Sequence, residues 1–372
     1  MIPDSFHLPL FLDLALTSRC LLRCRYCSVE KKPMRELSAS EWVRVIRSFA
    51  RLRPIAIISL EGGEPLLRAD LPQILSACLD SAQSVKIVTS GVIPLRSIPP
   101  DLWRHPRFSI ELSMDGPRRI HDFLRDQSWD RAFGFLRDCL QRGIRLRLRS
   151  VISRHNGPDM EGWLEELDDW LLSMGKKIEF LFDPLIAPDT LMDQGGPLPR
   201  LGLRAFRADG LVPSPAEIGI LYRKLKTRNF GAIQIPQTEI IRGCAAARYA
   251  VLSFDPAGAF SFCCEAPGAW GRVFEMSFEE ILSLSNAQTQ RLFCRKCYFF
   301  HRDLCHGCWT GKKCGLVSHW GFPDCRALYR QMMGFVFRAH PLEIEPPLPL
   351  EPLRQVPGGD GQGDRHDFEK NS

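Results

Sequence analysis

The sequence lacks the features that direct a chain to a membrane, an export pathway or nucleic acid. It has no uninterrupted run of about 18 apolar residues, so no transmembrane helix is predicted. Its first residues contain no cationic segment, and Asp4 and His7 interrupt their apolar run, so no secretory signal peptide is expected. The 49 basic and 43 acidic residues leave a net charge of +6, without the basic block typical of nucleic-acid binding. We therefore expect a cytoplasmic protein that binds neither a membrane nor nucleic acid.

Cysteine, by contrast, is abundant and clustered. Of 14 cysteines, three lie within residues 20–27 and nine within residues 244–325. Cys78 and Cys139 stand apart in apolar helical patterns, and we predict that both are buried thiols. Because the cytoplasm keeps thiols reduced, metal binding is a better expectation for the clusters than disulfide formation.

Six strand-like segments alternate with helical ones in the first half of the chain. The strands are predicted at 10–16, 55–61, 84–90, 107–114, 145–152 and 177–182. Ser38 followed by Glu41 predicts a capping box at the first helix, and Gly143 and Gly175 fall where helices would end. This alternation predicts an α/β fold with a parallel sheet and outer helices. Six units are too few for an eight-fold barrel, so we expect an open, partial barrel.

The predicted strands have polar inner faces. Glu111, Ser113 and Asp115 share one face of the fourth strand, and Arg145, Arg147 and Arg149 share one face of the fifth. Asp13, Thr17 and Lys86 repeat this pattern in the first and third strands. With the apolar faces under helices, these groups would point into the barrel. They indicate either a ligand site or a salt-bridge network that satisfies itself.

Three cysteines, Cys20, Cys24 and Cys27, follow the first strand directly with the spacing C-x3-C-x2-C. Three thiolates cannot ligate all four irons of a 4Fe-4S cluster, so one iron would remain open to another ligand. Zinc is the structural alternative, but a zinc site usually closes with a fourth Cys or His. No motif places His7 or His105 in that position.

With Tyr26 before its third cysteine, this pattern resembles the signature of the radical S-adenosylmethionine (SAM) superfamily. The resemblance covers residues 8–183 and implies a partial (β/α)6 barrel of the TIM type. It implies that Cys20, Cys24 and Cys27 bind a 4Fe-4S cluster whose open iron is chelated by SAM. An electron from an external reductant of the flavodoxin or ferredoxin type would then cleave SAM to a 5′-deoxyadenosyl radical, which abstracts hydrogen from a substrate.

Two further motifs carry the same resemblance. Glu61-Gly62-Gly63-Glu64-Pro65 is similar to the family's GGEP element, which contacts the SAM amino group, and Ser113-Met114-Asp115-Gly116 is similar to its Ser-x-Asp-Gly element. Ser90 departs from the Thr-Asn-Gly that relatives often carry after the third strand. The SAM-binding residues that the resemblance implies are Tyr26, Gly62, Gly63, Glu64, Pro65, Ser113, Asp115 and Arg149.

Residues 233–335 resemble the SPASM domain, a cysteine-rich extension that carries auxiliary clusters. Cys244, Gly258 and Cys263 fit its first part, and residues 254–264 predict its short hairpin. The spacing after Cys297 departs from the family pattern, and two CxxC pairs alone would also suit zinc. The resemblance implies one or two auxiliary 4Fe-4S clusters. The first would use Cys294, Cys297, Cys305 and Cys325, and the second would use Cys244, Cys263 and Cys308 with Cys314 or Cys264.

The remaining segments are a linker and helix, at 184–232, and a tail at 341–372 that is expected to be disordered. The association with SPASM domains favours a peptide or protein side chain as substrate. The arginine-lined lumen supports a second hypothesis, the modification of a tetrapyrrole, whose carboxylates would suit arginine. A non-catalytic iron–sulfur carrier is a third hypothesis and RNA modification a fourth.

Overall fold

The computed structural model describes residues 9–31, 33–95, 98–185, 198–199, 210–235, 250–262 and 268–290. Its strands are β1 (Leu10–Thr17), β2 (Ile55–Gly62), β3 (Ala82–Thr89), β4 (Phe108–Ser113), β5 (Leu146–Ile152), β6 (Ile178–Pro184), β7 (Leu198–Pro199), β8 (Ile233–Gln234), β9 (Ala250–Phe254), β10 (Ala259–Ser261), β11 (Gly268–Ala269) and β12 (Gly271–Arg272). Its helices are α1 (Ala39–Leu52), α2 (Leu71–Ser81), α3 (Pro100–Trp103), α4 (Arg118–Leu124), α5 (Trp129–Arg142), α6 (Met160–Ser173), α7 (Pro215–Thr227) and α8 (Phe278–Gln290).

The main sheet has the strand order β12-β10-β9-β1-β2-β3-β4-β5-β6-β8. From β9 to β8 every neighbouring pair is parallel, whereas β10 is antiparallel to both β9 and β12. Strands β1 to β6 are therefore adjacent in chain order, and the sheet is not closed within the described residues. The predicted α/β fold with an open, partial barrel is confirmed.

Strand β1 shows why one face of the sheet is apolar. Leu10, Leu12, Leu14 and Leu16 are completely buried under the helices. The alternate positions, which include Asp13, face the other way. This period of two explains why the strands could be located from sequence.

Helix boundaries follow the predicted end signals. The side chain of Ser38 accepts a hydrogen bond from the backbone N–H of Glu41, and the Glu41 carboxylate accepts one from the backbone N–H of Ser38. Gly143 ends α5 with a φ of 70°, a conformation in which glycine carries no steric penalty. Cys78 and Cys139 are both completely buried, as predicted.

The predicted hairpin near residue 254 is formed by β9 and β10, and it extends the barrel sheet. Strand β9 pairs in parallel with β1, from Leu10 opposite Ala250 to Leu14 opposite Phe254. The Phe254 ring lies 5.9 Å from that of Phe49 on α1, and it is completely buried. Residues 250–262 therefore share the core of the barrel, and the proposed domain boundary at residue 233 stays a prediction.

Candidate active site

The candidate site is built on the loop that follows β1, which we call the cysteine loop (residues 18–31). Cys24 is buried with Leu22 and Val92 in a small apolar cluster, and Cys20 and Cys27 pack against the same cluster. Burial raises the pKa of the Cys20 thiol, and it raises that of Cys24 to about 11. Thiols in this state are protonated near neutral pH, and a bound metal is what would deprotonate them. Three cysteines on one loop supply the thiolate donors that an iron–sulfur cluster takes.

No group of three His, Cys, Asp or Glu side chains in the described residues is arranged to hold a single metal ion.

The two glycines of the motif at 62–63 allow the cysteine loop to lie against the end of β2. A Cβ on Gly62 would lie 2.3 Å from the Thr17 carbonyl oxygen, and one on Gly63 would lie 2.2 Å from that of Arg19. Two backbone hydrogen bonds hold this contact, Gly63 N–H to Thr17 O at 2.7 Å and Glu64 N–H to Arg19 O at 2.8 Å. The close approach that these two glycines permit is thus made to the backbone of residues 17–19.

The Glu64 side chain points away from solvent and towards the end of β3. It has no exposed surface. Its carboxylate accepts hydrogen bonds from the Thr89 hydroxyl at 2.8 Å and from the Ser90 N–H and hydroxyl at 3.0 and 2.5 Å. Burial raises its pKa, and these hydrogen bonds oppose that shift. Glu64 therefore connects the ends of β2 and β3. The next residue, Pro65, begins a short 3₁₀ helix, Pro65–Leu67.

Asp115 forms a buried hub just beyond β4. Its carboxylate accepts hydrogen bonds from the Tyr26 hydroxyl, the Arg125 guanidinium and the Val151 N–H, the last at 2.9 Å. Asp115 has no exposed surface, and Arg125 also lies over the Tyr26 ring at 5.4 Å from its centroid. Asn156, also fully buried, donates to the Asp115 carbonyl at 3.1 Å. Asp115 therefore positions Tyr26 within the cysteine loop.

The polar inner faces of β3, β4 and β5 meet as predicted. Glu111, without exposed surface, pairs with Lys86 at 3.0 Å and with Arg149 at 3.0 Å. Arg149 also pairs with Asp183 at 2.9 Å, and Ser113 lies opposite Arg149 in the β4–β5 register. Burial by itself raises the pKa of Glu111, but the neighbouring cations lower it below its usual value. Much of the lumen is therefore a compensated salt-bridge network.

Other predicted lumen residues also have partners. The Asp13 carboxylate accepts a hydrogen bond from the Ser253 hydroxyl on β9 at 2.6 Å, and the Thr17 hydroxyl donates to Glu36 at 2.5 Å. Arg147 pairs with Glu179 at 3.6 Å. Because Arg147 and Arg149 are both paired with carboxylates, the lumen carries less unpaired positive charge than its number of arginines suggests.

Sequence reasoning missed Arg125 and Glu36. Arg125 follows α4 without any periodic pattern, and Glu36 lies in the irregular segment before α1. Neither belongs to a recognisable motif, so no local signal could have indicated them. The proposed auxiliary ligands lie outside the described residues: Cys244, Cys263, Cys264, Cys294, Cys297, Cys305, Cys308, Cys314 and Cys325.

Comparison with known protein families gives one match, for residues 14–168, to the model of the Radical SAM superfamily. Residues 14–168 form a radical SAM domain. This domain contains Cys20, Cys24 and Cys27, the Glu61–Pro65 loop and the Asp115 hub.

Among curated proteins, the chain is similar to enzymes that include a porphyrin synthase and peptide cyclases. It is 29% identical over 160 residues to Fe-coproporphyrin III synthase of Methanosarcina barkeri, covering 41% of this chain and 40% of that protein. It is 33% identical over 156 residues to PqqA peptide cyclase of a Methylobacterium species, covering 40% of each. The chain therefore matches about two fifths of the length of these relatives.

Solved structures with the same fold cover more of the chain. Streptococcus suis SuiB bound to its precursor peptide SuiA has a TM-score of 0.59 at 17% identity, covering 81% of this chain and 72% of that one. Native anSMEcpe with bound AdoMet and the Kp18Cys peptide has a TM-score of 0.63 at 16% identity, covering 88% and 96%. At these identities the likeness concerns the fold alone.

No helix in the described part of the chain is both long enough and apolar enough to cross a membrane.

Proposed function

We propose that this protein cleaves SAM reductively at a 4Fe-4S cluster held by Cys20, Cys24 and Cys27. The observation that carries the proposal is the packing of all three cysteines around one apolar cluster, in a loop locked by backbone hydrogen bonds to the Glu61–Pro65 loop. Three thiolates leave one iron of such a cluster open. When bound there, the cluster and SAM would supply a 5′-deoxyadenosyl radical that abstracts hydrogen from a substrate.

The residues proposed to bind SAM fall into two groups, those that would contact SAM directly and those that position the loops around it. Gly62, Gly63 and Pro65 provide backbone at the carboxyl ends of the strands, where ligands of parallel α/β folds bind. Ser113 and Arg149 face the lumen and are proposed to contact SAM directly. The resemblance also implies SAM contacts by Tyr26, Glu64 and Asp115, and Tyr26 remains a proposed contact. The carboxylates of Glu64 and Asp115, however, are buried and hydrogen-bonded within the protein. For those two carboxylates we propose that they position the loops that bind SAM.

The proposed substrate is a peptide or protein side chain. Two observations support it: similarity to PqqA peptide cyclases and the shared fold with peptide-bound SuiB and anSMEcpe. The alternative, tetrapyrrole modification, is supported by the similarity to Fe-coproporphyrin III synthase. Its argument from lumen arginines is weaker, because Arg147 and Arg149 are already paired with carboxylates.

For residues 233–335 the proposal remains a SPASM-like domain, following the barrel at 8–183 and the linker and helix at 184–232, and preceding the tail at 341–372. Its auxiliary 4Fe-4S clusters would be held by Cys294, Cys297, Cys305 and Cys325, and by Cys244, Cys263, Cys308 and Cys314. An external one-electron reductant of the flavodoxin or ferredoxin type would drive the reaction.

Iron counting tests the cluster assignment. With three 4Fe-4S clusters, the reconstituted protein would hold about twelve irons per chain. The Cys20→Ala/Cys24→Ala/Cys27→Ala variant is expected to lose about four of them. A Cys139→Ala control, on the buried side of α5, should lose none. If the triple variant keeps its full iron content, the assignment of these thiols is wrong.

A substrate test separates the two substrate classes. The reconstituted protein is incubated with SAM, a reductant and iron-coproporphyrin, and 5′-deoxyadenosine is measured. The proposal expects no porphyrin-dependent release. Stimulated release, together with loss of porphyrin carboxylate, would overturn the peptide assignment while leaving the SAM chemistry intact.

A further inference from the structure

The outer side of the cysteine loop carries a cluster of exposed arginines. We propose that these residues, Arg23, Arg25, Arg118 and Arg119 (the arginine face), form the docking site of an acidic protein that delivers single electrons. This inference rests on the proposed function, because it assumes that Cys20, Cys24 and Cys27 hold the cluster that receives the electron.

Exposure along the cysteine loop alternates. Leu22 and Cys24 are buried, whereas Leu21, Arg23 and Arg25 are exposed. Arg23 and Arg25 are therefore the two chain neighbours of Cys24, with α-carbons about 3.8 Å from its own. A protein bound to these arginines would lie against the backbone that carries a proposed cluster ligand.

Contacts with the segment after α4 fix the position of the arginine face. The backbone N–H of Arg23 donates to the Asp126 carboxylate at 3.0 Å, and the backbone N–H of Arg25 donates to the Leu124 carbonyl at 2.9 Å. The Arg25 guanidinium donates to the Phe123 carbonyl at 2.8 Å and lies 3.9 Å from the centroid of the Phe123 ring. These bonds join the loop to α4, which carries Arg118 and Arg119, so both halves of the face belong to one surface.

The segment that follows α4 also contains strained backbone. Asp126 and Gln127 have φ values of 55° and 58°, in the left-handed region that non-glycine residues rarely adopt. Strain of this kind persists only where surrounding contacts impose it, and it is concentrated at functional sites. Here the imposed conformation places the Asp126 carboxylate where it holds Arg23.

The chemistry of the face fits an acidic partner. Its four arginines line an open cavity of about 770 Å³ together with Asp122, Phe123, Asp126 and Gln127. Arg118 is paired with the Asp130 carboxylate, so the excess of positive charge over Asp122 and Asp126 comes from Arg23, Arg25 and Arg119. Phe123 is 41% exposed, which adds an aromatic surface to the arginines. Arginine and aromatic residues are enriched in protein interfaces, and opposite charges accelerate the encounter of two proteins.

The electron would come from the flavin of the bound protein. The anionic flavin hydroquinone of a flavodoxin at the arginine face would give up one electron to become the neutral semiquinone, and the cluster held by the three thiols would accept that electron. No covalent bond forms between the two proteins.

The test compares two charge reversals of equal size. One variant is Arg118→Glu/Arg119→Glu, in the part of the arginine face that α4 carries outside the cysteine loop, and the control is Arg47→Glu/Arg137→Glu, on the exposed sides of α1 and α5. Binding of oxidised flavodoxin to each reconstituted protein is measured by flavin fluorescence anisotropy at low and high salt. SAM cleavage is measured with reduced flavodoxin and, separately, with dithionite.

The inference predicts that the face variant binds flavodoxin at least about tenfold more weakly at low salt, with a smaller salt dependence. Its kcat/KM for flavodoxin should fall by a similar factor, while its dithionite-driven rate stays within about twofold of the native rate. The control should match the native protein in every measurement. Equal flavodoxin binding by both variants would overturn the docking site. Absence of dithionite-driven SAM cleavage in the native protein would instead contradict the proposed function, so the two failures are distinguishable.

Discussion

The Tyr26 hydroxyl donates a hydrogen bond to the Asp115 carboxylate, joining the cysteine loop to the end of β4 across 89 residues of sequence. The same carboxylate is held by Arg125 and by the Val151 N–H at the end of β5. Tyr26, the aromatic residue that the motif places before Cys27, is therefore an attachment point that sets where the three thiols lie.

Removing the Tyr26 hydroxyl should loosen this attachment. We expect Tyr26→Phe to lower the free energy of unfolding by about 1–3 kcal/mol, because a hydrogen bond to a buried charged acceptor is lost. Urea unfolding of Tyr26→Phe, Asp115→Asn and the double variant forms a double-mutant cycle. The account predicts a coupling energy above about 0.5 kcal/mol, and additive effects would show that the two groups do not interact.

A methyl group at Gly63 should separate the cysteine loop from the Glu61–Pro65 loop. Because the new Cβ would lie 2.2 Å from the Arg19 carbonyl oxygen, Gly63→Ala is expected to destabilise the fold and to reduce iron incorporation. Gly134→Ala in α5 is the matched control, since no heavy atom lies within 4 Å of its new Cβ. That control should be neutral or stabilise the protein by up to about 1 kcal/mol. Equal stability of the two variants would contradict the role given to Gly63.

His121 should make the fold sensitive to acid. Burial, and next the nearby Arg125, lower its pKa from 6.5 to about 4, against the weaker opposing effects of Asp115 and Asp122. A group whose pKa is depressed in the folded state contributes stability above its unfolded pKa and loses it as the pH falls. The loss should therefore occur between about pH 6.5 and pH 4, and amount to about 3 kcal/mol.

The measurement is the free energy of unfolding of the native protein and His121→Gln from pH 7 to pH 4. The variant also loses the contact between the His121 ring and Ser128 at 3.0 Å, so it should be less stable at pH 7. The difference between the two proteins should shrink as the pH falls. A difference that stays constant would show that His121 does not titrate in this range.

Lys86 should be needed to keep Glu111 ionised. In Lys86→Met the buried Glu111 retains its ion pair with Arg149 and the charge of Arg147, and breaking a buried pair costs about 3–5 kcal/mol when no other partner remains. With Arg149 present we expect about 2 kcal/mol. Because Glu111 can take up a proton, the deficit should decrease on acidification. Lys86→Met/Glu111→Gln should recover part of the stability, and a double variant worse than the single one would contradict this account.

The sequence predicts which residues line the site better than it predicts which groups their side chains contact. Strand periodicity placed Glu111, Ser113 and Arg149 on one inner face, because alternation depends only on local sequence. It could not show that Glu64 faces Thr89 and Ser90 instead of the lumen, since that depends on the neighbouring strand.

Two long-range features were beyond sequence reasoning for the same reason. The resemblance to the SPASM domain predicts the hairpin of β9 and β10 but not its position beside β1, because strand order between distant segments leaves no local pattern. Arg125 belongs to no motif, yet its guanidinium completes the Asp115 hub. Contacts of this kind become visible only when the fold brings the segments together.

The most direct test of the central claim is SAM cleavage itself. The reconstituted native protein, reduced with dithionite under anaerobic conditions, should convert SAM to methionine and 5′-deoxyadenosine in equal amounts. Cys24→Ala should abolish this conversion, whereas Cys139→Ala should retain it. If Cys24→Ala cleaves SAM at the native rate, the three cysteines of the loop are not the site of SAM cleavage.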